Sequence, residues 1–254
     1  MMHIAGDMTG KAALITGATG GLGKAVAQTL AQAGARIFLV DSDAAHLETM
    51  AADLHEAGFE AAIHATDLMG ATQCKAAVAA AIDAFGRIDA LCNVANVFCP
   101  SHANDMTEAD WERTLAVNLS APFYLFQAAL PHLLDAHGAM VSVGSCAAHM
   151  AQPFTAAYTA SKAAIVQMTK VLAKEFIDQP IRINCIAPGS MAVDSASAAR
   201  IPGNVDMSRV VKLAPARGLI DIANVASVVA FLTSDASTGF HGACITMDNG
   251  ISLG

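Results

Sequence analysis

The chain has 254 residues, of which 54% are hydrophobic and only 14% are charged, and its formal net charge is −8 at pH 7. This composition is typical of a folded chain with a large core and excludes a disordered one. The negative charge and the scattered Lys and Arg residues argue against the clustered basic surface of a nucleic-acid-binding protein. We therefore expect one domain over residues 1–254 and no nucleic-acid partner.

Membrane, secretory and metal-binding functions are also disfavoured. No apolar run approaches the about 18 residues of a membrane span, and the opening MMHIAGDMTGK lacks the basic and apolar regions of a signal peptide. We therefore expect a cytoplasmic location and no membrane association. The six cysteines include no C-x-x-C pair and are interpreted as reduced thiols. The nine histidines are dispersed, so no metal site is predicted.

Short apolar or β-branched segments alternate with longer segments of helical period along the chain. The predicted strands are KAALIT, RIFLVD, AAIHATD, IDALCNVA, AMVSVGS, IRINCIAPG and ACITMDNG, and one of the intervening helical regions runs from about 107 to 136. This order predicts an α/β fold of Rossmann type, a doubly wound parallel sheet of about seven strands with helices on both faces. The long connection at about 190–213 has no strong pattern and is interpreted as a lid.

A glycine-rich turn, T-G-A-T-G-G-L-G, directly follows the first predicted strand and leads into a helix. Gly17, Gly21 and Gly23 would let the chain turn tightly, let a pyrophosphate approach backbone N–H groups at the helix N-terminus, and let the helix pack close to the strand. A strand before the turn and a helix after it strengthen the pattern. The turn therefore indicates nucleotide binding.

Asp41 ends the second predicted strand, about twenty residues beyond the glycine-rich turn. A carboxylate at this offset binds the adenosine ribose hydroxyls in dinucleotide-binding folds and repels a 2′-phosphate. Gly20 and Ser42 supply no cation that would neutralise such a phosphate. The sequence therefore favours NAD over NADP. A second interpretation is that Asp41 caps the next helix, a role that also suits Asp43.

The stretch YTASK places Tyr158 four residues before Lys162. On a helix these side chains share one face, so the phenol and the ammonium are able to reach one partner together. Ser145 follows the fifth predicted strand, which brings its hydroxyl to the same sheet edge. Two hydroxyls at that edge would be able to bind one substrate oxygen, although a Tyr and a Lys at this spacing are more often two solvated neighbours.

Over essentially its whole length the sequence resembles the short-chain dehydrogenase/reductase superfamily. The resemblance is carried by the T-G-x-x-x-G-x-G turn, the N-x-A segment at Asn93, Asn118, Ser145, Tyr158-x-x-x-Lys162, Pro188-Gly189 and the closing D-N-G, in the family's order and spacing. It implies that Tyr158 is the catalytic acid/base and that Lys162 lowers the Tyr158 pKa and binds the nicotinamide ribose. It also implies that Ser145 holds the substrate oxygen and that Asn118 supports a water relay.

The cofactor implied is NAD. The residues expected to bind it follow the glycine-rich turn and the later strands: Gly17, Thr19, Gly21, Leu22, Gly23, Asp41, Asp67, Leu68, Asn93, Ala95, Tyr158, Lys162, Pro188, Gly189 and Met191. Two positions depart from the family pattern. Asn96 stands where the family usually has Gly, and because Asn tolerates a left-handed turn, we expect the loop to persist with a slightly altered adenosine site. Val193 replaces a frequent Thr, so backbone groups, Ser190 or Ser195 are expected to hold the nicotinamide carboxamide.

Substrate contacts are expected from Ser145, His149, Gln152 and Tyr158. Further residues expected to face the substrate, from the same sheet edge or from the lid, are Phe98, Cys146, Phe154, Met191, Ile201, Met207 and Val211. Because most of them are apolar, they indicate a modest, neutral alcohol or ketone, although each is also compatible with ordinary packing.

Three functions remain open on the sequence. The first is an NAD-dependent alcohol dehydrogenase that acts reversibly on a secondary alcohol. The second is a 3-oxoacyl-thioester reductase, which normally uses NADPH and needs a basic residue near the turn or after the second strand; Asp41 argues against it. The third is a non-catalytic nucleotide-binding scaffold, which would not need to retain the proton-relay residues.

Two predicted helices are apolar around most of their circumference: LSAPFYLFQAALPHLL and AAIVQMTKVLAKEF. Because such helices must be covered on more than one side, we expect a closed homo-oligomer. The resemblance implies a homotetramer. Pro122 and Pro131 are expected to bend or shorten the first of these helices.

Overall fold

The computed structural model of the protein describes residues 6–192 and 217–253. Its centre is a seven-stranded parallel sheet in the order β3-β2-β1-β4-β5-β6-β7. The strands are β1 (Ala12–Thr16), β2 (Arg36–Asp41), β3 (Ala61–Ala65), β4 (Ala90–Asn93), β5 (Ala139–Val143), β6 (Arg182–Pro188) and β7 (Cys244–Met247). The predicted doubly wound α/β fold is therefore confirmed.

Helices connect the parallel strands and cover both faces of the sheet. They are α1 (Gly21–Gln32), α2 (Ala44–Glu56), α3 (Ala71–Phe85), α4 (Glu108–Leu115), α5 (Ala121–Asp135), α6 (Ala156–Glu175) and α7 (Ile222–Thr233). A π-helical segment, Ala116–Ser120, joins α4 to α5, so the predicted helical region at 107–136 contains a wider turn at its centre. Pro122 lies in the first turn of α5, where its missing N–H costs little, and Pro131 lies inside that helix.

Short polar residues begin several of these helices. The Asp43 side chain accepts a hydrogen bond from the N–H of His46 at the start of α2, and the Thr107 side chain accepts one from the N–H of Asp110 at the start of α4. Gly86 ends α3 with a left-handed φ of 71°. The helix boundaries therefore follow from capping residues in the sequence.

Two hydrophobic clusters hold the helices on the sheet. One face buries Val26 and Leu30 of α1 together with Val229 of α7. The opposite face buries Leu125 of α5 and Leu172 of α6. Since both faces are covered, the central strands are continuously apolar, and polar side chains concentrate at their ends.

The strand order reverses at β1, which lies between β2 and β4. Loops from these strands therefore leave in opposite directions and open a crevice at their carboxyl ends, where ligands bind in such sheets. Most of the predicted lid, 193–213, lies outside the described residues. Its first residues continue from β6, and Met191 forms a parallel bridge with Ile220. Among the described helices, none is both long and apolar enough to cross a membrane.

Candidate active site

The glycine-rich turn between β1 and α1 forms one wall of the crevice. Gly17 has a φ of 66°, and a Cβ atom there would lie 2.5 Å from the Cα atom of Ala95. A Cβ atom on Gly23 would overlap the carbonyl oxygen of Gly17. Gly20 precedes α1 without a side-chain cap, and the first turn of α1 contains no acidic residue. The first N–H groups of α1 therefore remain available to an anionic group.

Asp41 ends β2 beside this turn. Its Oδ2 atom accepts a hydrogen bond from the Thr19 N–H at 3.0 Å, and its Oδ1 atom accepts one from the Ser42 N–H at 2.7 Å. The alternative interpretation of Asp41 as a helix cap is wrong, because Asp43 caps α2 by accepting a hydrogen bond from the N–H of His46 at 3.0 Å. The Asp41 carboxylate instead lines the crevice.

Arg113 in α4 is a candidate residue that the sequence analysis missed. Its Nη1 atom donates to Oδ2 of Asp67 at 2.8 Å, and both side chains are about half exposed. The pair borders a recess beside the glycine-rich turn, which Asp41, Leu68 and Ala95 also line. No local pattern connects Asp67 and Arg113, because only the packing of α4 near the end of β3 brings them together.

The end of β4 is fixed to β1 and β5 by side-chain hydrogen bonds. The Thr16 hydroxyl accepts from the N–H groups of Val94 and Ala95, each at 3.2 Å. Asn93 is buried and donates from Nδ2 to the Ser142 hydroxyl at 3.2 Å. Among the described residues, the Oδ1 atom of Asn93 has no hydrogen-bond partner. The segment 93–95 is therefore held against the glycine-rich turn, and the Asn93 Oδ1 atom remains free to accept a hydrogen bond.

Ser145 and Tyr158 meet at the carboxyl edge of the sheet. Ser145 follows β5, and its Oγ atom accepts a hydrogen bond from the Ala147 N–H at 3.1 Å, which begins a short 3-10 helix. Tyr158 lies in the first turn of α6, and its side chain lines the same cavity as Ser145. The ring of Phe98 packs edge-on against the Tyr158 ring, with the centroids 4.8 Å apart. Two hydroxyls are thus brought together on rigid elements.

Lys162 lies one turn further along α6 and is only 2% exposed. Its Nζ atom donates to the carbonyl oxygen of Val143 at 2.9 Å and lies 5.6 Å from the centroid of the Tyr158 ring. Among the described residues, this carbonyl is its one hydrogen-bond partner. An ammonium group has three donors, so two are left for another molecule.

Burial shifts the pKa of both groups, because a low-dielectric site disfavours the charged form of each. Burial lowers the pKa of Lys162 to about 8. Burial also raises the pKa of Tyr158, and the nearby Ser145 hydroxyl acts in the opposite direction. The pKa of Tyr158 is raised overall, because burial is the largest cause. The expected lowering of this pKa by Lys162 stays a prediction.

Asn118 lies in the π-helical segment and is buried. Its Oδ1 atom accepts from the Val97 N–H at 2.7 Å, and its Nδ2 atom donates to the Val97 carbonyl at 2.9 Å and to the Ser161 hydroxyl at 3.1 Å. Ser161 in turn donates to the Tyr158 carbonyl at 2.6 Å. The amide of Asn118 thus fastens the loop after β4 to the helix that carries Tyr158 and Lys162.

The turn after β6 closes the other side of the crevice. The Gly189 N–H donates to the Met247 carbonyl at 2.8 Å, and a Cβ atom on Gly189 would lie 2.9 Å from the Cα atom of Asp248. Pro188, Gly189 and Met191 therefore form a wall that lies opposite the glycine-rich turn.

One cavity of about 380 Å³ joins these parts. Its lining includes Gly17, Thr19, Leu22, Gly23, Asp41, Ser145, Tyr158, Lys162, Pro188, Gly189 and Met191. Asp67, Leu68 and Ala95 border the adjoining recess, and the Asn93 and Asn118 side chains lie buried behind the loop that follows β4. The structure therefore brings most of the predicted site residues to one edge of the sheet, and Gly21 begins α1 beside them.

Two of the predicted substrate contacts have neighbours of their own. The Nε2 atom of His149 lies 3.8 Å from the Sγ atom of Cys244, and His149 is not in the lining of the main cavity. The Nε2 atom of Gln152 lies 4.0 Å from the Sγ atom of Cys146, next to Ser145. Gln152, like His149, is not in the lining of the main cavity, so both substrate contacts stay predictions.

Phe154 has a φ of 68°, a conformation that a bulky residue rarely adopts. Its carbonyl accepts a hydrogen bond from the Ser101 N–H at 2.8 Å, and its ring packs edge-on against His102 with the centroids 4.7 Å apart. These contacts fasten the loop before α6 to the loop after β4.

The two departures from the family pattern have different outcomes. Asn96 is exposed and is not among the non-glycine residues with positive φ in the described chain. The loop therefore accommodates Asn96 without the left-handed conformation that favours glycine, and the expected change in the adenosine site stays a prediction. Val193 lies outside the described residues.

The geometry fits a dinucleotide. A side chain at Gly17 or Gly23 would collide with the backbone, the N-terminus of α1 is open, and a carboxylate stands at the end of β2. These features suit a pyrophosphate and a ribose bound along one crevice. The unused donors of Lys162 and the hydroxyls of Ser145 and Tyr158 lie at the other end of the same cavity.

Two proteins similar to this chain are dehydrogenases that act on diols or polyols, by their names. D-threitol dehydrogenase of Mycolicibacterium smegmatis is 36% identical over 250 residues, which cover 97% of this chain and 94% of that protein. The 2,5-dichloro-2,5-cyclohexadiene-1,4-diol dehydrogenase LinX of Sphingobium indicum is 32% identical over 252 residues, which cover 99% of this chain and all (100%) of that protein.

A solved structure and a family profile agree with these relatives. The short chain dehydrogenase from Burkholderia cenocepacia, crystallised in complex with NADP, aligns with a TM-score of 0.86 at 30% identity and covers 96% of this chain and 98% of its own. The profile described as short chain dehydrogenase matches residues 11–202, from β1 through the glycine-rich turn, Tyr158 and Lys162. The chain therefore belongs to the short-chain dehydrogenase family of oxidoreductases, which bind nicotinamide cofactors.

Proposed function

We propose that this protein is an NAD-dependent dehydrogenase that interconverts a secondary alcohol and its ketone. The observation that carries the proposal is that the Ser145 and Tyr158 hydroxyls line the same cavity as the glycine-rich turn. We assign catalysis to Ser145, Tyr158 and Lys162, with Asn118 supporting proton transfer.

The chain's own residues divide the work. When bound, the nicotinamide cofactor supplies or accepts the hydride. The Ser145 and Tyr158 hydroxyls hold the substrate oxygen, and Tyr158 takes its proton during oxidation or returns one during reduction. Because Tyr158 is buried, proton transfer must coincide with a change of charge at the substrate oxygen, which keeps an isolated phenolate from forming in the apolar site.

Lys162 contributes the positive charge that a transient phenolate needs. Its ammonium is already desolvated and directed by the Val143 carbonyl, so little reorganisation is required during the reaction. Its two remaining donors are available to the hydroxyls of a ribose and to a water molecule.

Asn118 supports the path by which the proton leaves the site, and it does so with its backbone carbonyl. The residue four positions further on is Pro122, which has no N–H, so the Asn118 carbonyl lacks its α-helical donor. The side-chain amide is fully used by Val97 and Ser161. We therefore assign the Asn118 carbonyl, rather than its amide, to the water that would connect Lys162 with solvent.

Asp41 supports NAD as the preferred cofactor. Two backbone N–H groups hold its carboxylate in the crevice, where it suits two ribose hydroxyls and repels a 2′-phosphate. The nearby cation, Arg113, is engaged by Asp67. The Burkholderia relative was crystallised with NADP, so measured cofactor preference is the test that distinguishes the two.

The substrate class we propose is a neutral diol or polyol. Two relatives are named for such compounds, D-threitol and a cyclohexadiene diol. Beside the reactive hydroxyls, this chain offers the Gln152 amide and the Cys146 thiol, which suit a second hydroxyl group and carry no charge at neutral pH. Phe98 supplies an apolar wall.

A kinetic panel tests the proposal directly. The purified protein is assayed at the reduced-nicotinamide absorbance band with NAD and with NADP, against simple secondary alcohols, vicinal diols and linear polyols. We expect turnover with NAD and higher kcat/KM for diols than for mono-alcohols of the same length. Preference for NADPH and 3-oxoacyl thioesters would favour the reductase alternative, and cofactor binding without turnover on any substrate would favour the scaffold.

We also propose that the protein works in the cytoplasm as a homotetramer. Phe123 of α5, Val171 of α6 and Ile177 just beyond α6 are exposed apolar side chains, and Val171 is 52% exposed. Covering them by a second copy would remove apolar surface from water. All six cysteines are free thiols, as suits a reducing compartment. Light scattering at micromolar concentration checks the assembly, and a mass near one chain would contradict it.

A further inference from the structure

Cys185 of β6 and Cys244 of β7 are direct register partners in the parallel sheet. Neighbouring strands lie about 4.8 Å apart, which is within the range of Cα separations, about 4.4–6.8 Å, that a disulfide spans. Side chains of register partners point to the same face of the sheet, so the two thiols lie on the same side of β6 and β7. The backbone therefore already holds the two sulfur atoms as neighbours.

The two thiols have unequal surroundings. Cys185 is fully buried (0% exposed), whereas Cys244 lies on the edge strand and is partly exposed. The Nε2 atom of His149 lies 3.8 Å from the Sγ atom of Cys244. The neighbouring Cys185 thiol, with smaller contributions from His149 and Lys170, lowers the pKa of Cys244 to about 6, while the Cys244 thiol and burial raise the pKa of Cys185. Cys244 is thus suited to react first and Cys185 second.

We propose that Cys244 and Cys185 form a peroxide-sensitive dithiol that closes to a disulfide inside the chain. The Cys244 thiolate attacks one oxygen of hydrogen peroxide, the O–O bond breaks, and the departing hydroxide takes up a proton to become water. Cys185 then gives its proton to a base and attacks the Cys244 sulfenic sulfur, and the S–O bond breaks as a second water leaves. Two thiols are oxidised and one peroxide is reduced to two waters.

His149 has a role in this chemistry that its sequence position did not suggest. Its imidazole, next to the Cys244 sulfur, is able to accept the Cys244 proton before the first step. The described residues contain no group of three or more His, Cys, Asp or Glu side chains that could hold a metal ion, so oxidation fits this cluster better than metal binding does.

The other cysteines lack this arrangement. Cys74 and Cys92 are buried, and burial raises the pKa of each, to about 11 and about 12 respectively. Burial also raises the pKa of Cys99 and of Cys146. We therefore expect peroxide to select Cys244 among the six thiols.

Peptide mapping after peroxide treatment tests the proposal. The reduced protein is treated with a small excess of hydrogen peroxide, free thiols are alkylated, and the digest is analysed by mass spectrometry. We expect a peptide pair linked through Cys185 and Cys244, while the remaining four cysteines stay alkylated. Cys185→Ser should instead leave Cys244 as a sulfenic acid that dimedone traps, and His149→Gln should slow the loss of the Cys244 thiol by at least about threefold.

Matched variants keep the result interpretable whether or not the proposed dehydrogenase activity is correct. Cys244→Ser should abolish the linked peptide while thermal unfolding remains cooperative, and Cys99→Ser, which alters another partly exposed thiol, should leave the linked peptide unchanged. Prior oxidation of Cys99 or Cys146, a bridge only between two chains, or full alkylation of Cys244 after peroxide treatment would each overturn the proposal.

Discussion

Two cations, one partly and one fully buried, lie at opposite edges of the sheet, and their surroundings differ sharply. Arg182 begins β6 at the amino edge, where Nη1 donates to the Leu232 carbonyl at 2.6 Å and Nη2 donates to the Ser234 carbonyl at 2.9 Å. Its guanidinium also donates to the Ser237 hydroxyl. Lys162, near the carboxyl edge, has the Val143 carbonyl as its one hydrogen-bond partner among the described residues.

The difference separates a structural cation from a functional one. Burial lowers the pKa of both side chains. The hydrogen bonds that Arg182 donates to the end of α7 and to the turn after it offset the cost of desolvating its guanidinium. Lys162 lines the cavity, and two of its three N–H donors have no partner among the described residues. A buried ammonium with too few hydrogen-bond partners, next to two hydroxyl groups, costs stability and is typical of a functional site.

The largest effect is expected at the reactive hydroxyl. Tyr158→Phe keeps the packing against Phe98 and removes the transferable proton, so kcat should fall by about 10²–10⁴-fold. Tyr124→Phe is the matched control, because Tyr124 is the only other tyrosine and lies in α5 away from the cavity. Steady-state kinetics with the best substrate from the panel measure both. Near-normal turnover in Tyr158→Phe would remove Tyr158 from the catalytic role.

At the amino edge the effect should fall on stability instead. Arg182→Leu leaves the Leu232 and Ser234 carbonyls without their hydrogen-bond donor, so the free energy of unfolding should fall by about 3 kcal/mol. Cofactor affinity should be unchanged at temperatures where the variant is folded. Lys11→Met removes a partly exposed ion pair with Asp235 nearby and should cost less than about 1 kcal/mol. Urea unfolding followed by circular dichroism gives both values; equal losses would contradict the comparison.

The sequence predicts the carboxyl edge better than the contacts behind it. The glycine-rich turn, Asp41 and the Tyr158–Lys162 spacing are local patterns, because each depends on one strand end or one helical turn. The Asp67–Arg113 pair and the alignment of Cys185 with Cys244 depend on how distant segments pack and on strand register. No neighbouring residues encode them. For the same reason, the sequence does not predict that His149 lies beside Cys244.

A smaller effect is expected at the nucleotide end of the crevice. Asp41→Ala removes a carboxylate that repels a 2′-phosphate, so the ratio of kcat/KM with NAD to that with NADP should fall by about 10- to 100-fold. Asp43→Ala removes a carboxylate two residues further along, which caps α2, and should leave the ratio unchanged. A wild-type preference for NADP would overturn the NAD assignment, and an unchanged ratio in Asp41→Ala would remove Asp41 as its cause.

The smallest effect is a gain in stability at the functional cation. Below the Lys162 pKa of about 8, the folded protein holds a charged lysine in an apolar site, and the pKa reduction from 10.5 corresponds to a cost of about 3 kcal/mol. Lys162→Met removes that charge but leaves the Val143 carbonyl unpaired, so the net gain at pH 7 should be about 1–2 kcal/mol although turnover is lost.

The pH dependence identifies the origin of this gain. Between about pH 8 and 10.5 the unfolded wild type still binds the Lys162 proton while the folded state releases it, so wild-type stability rises with pH across that window. The advantage of Lys162→Met should therefore shrink from pH 7 to pH 10 in urea unfolding. Lys174→Met, at an exposed position of the same helix, should change stability by less than about 0.5 kcal/mol at both values. If Lys162→Met were less stable than the wild type at pH 7, the Val143 hydrogen bond would outweigh desolvation, and Lys162 would be a structural cation like Arg182.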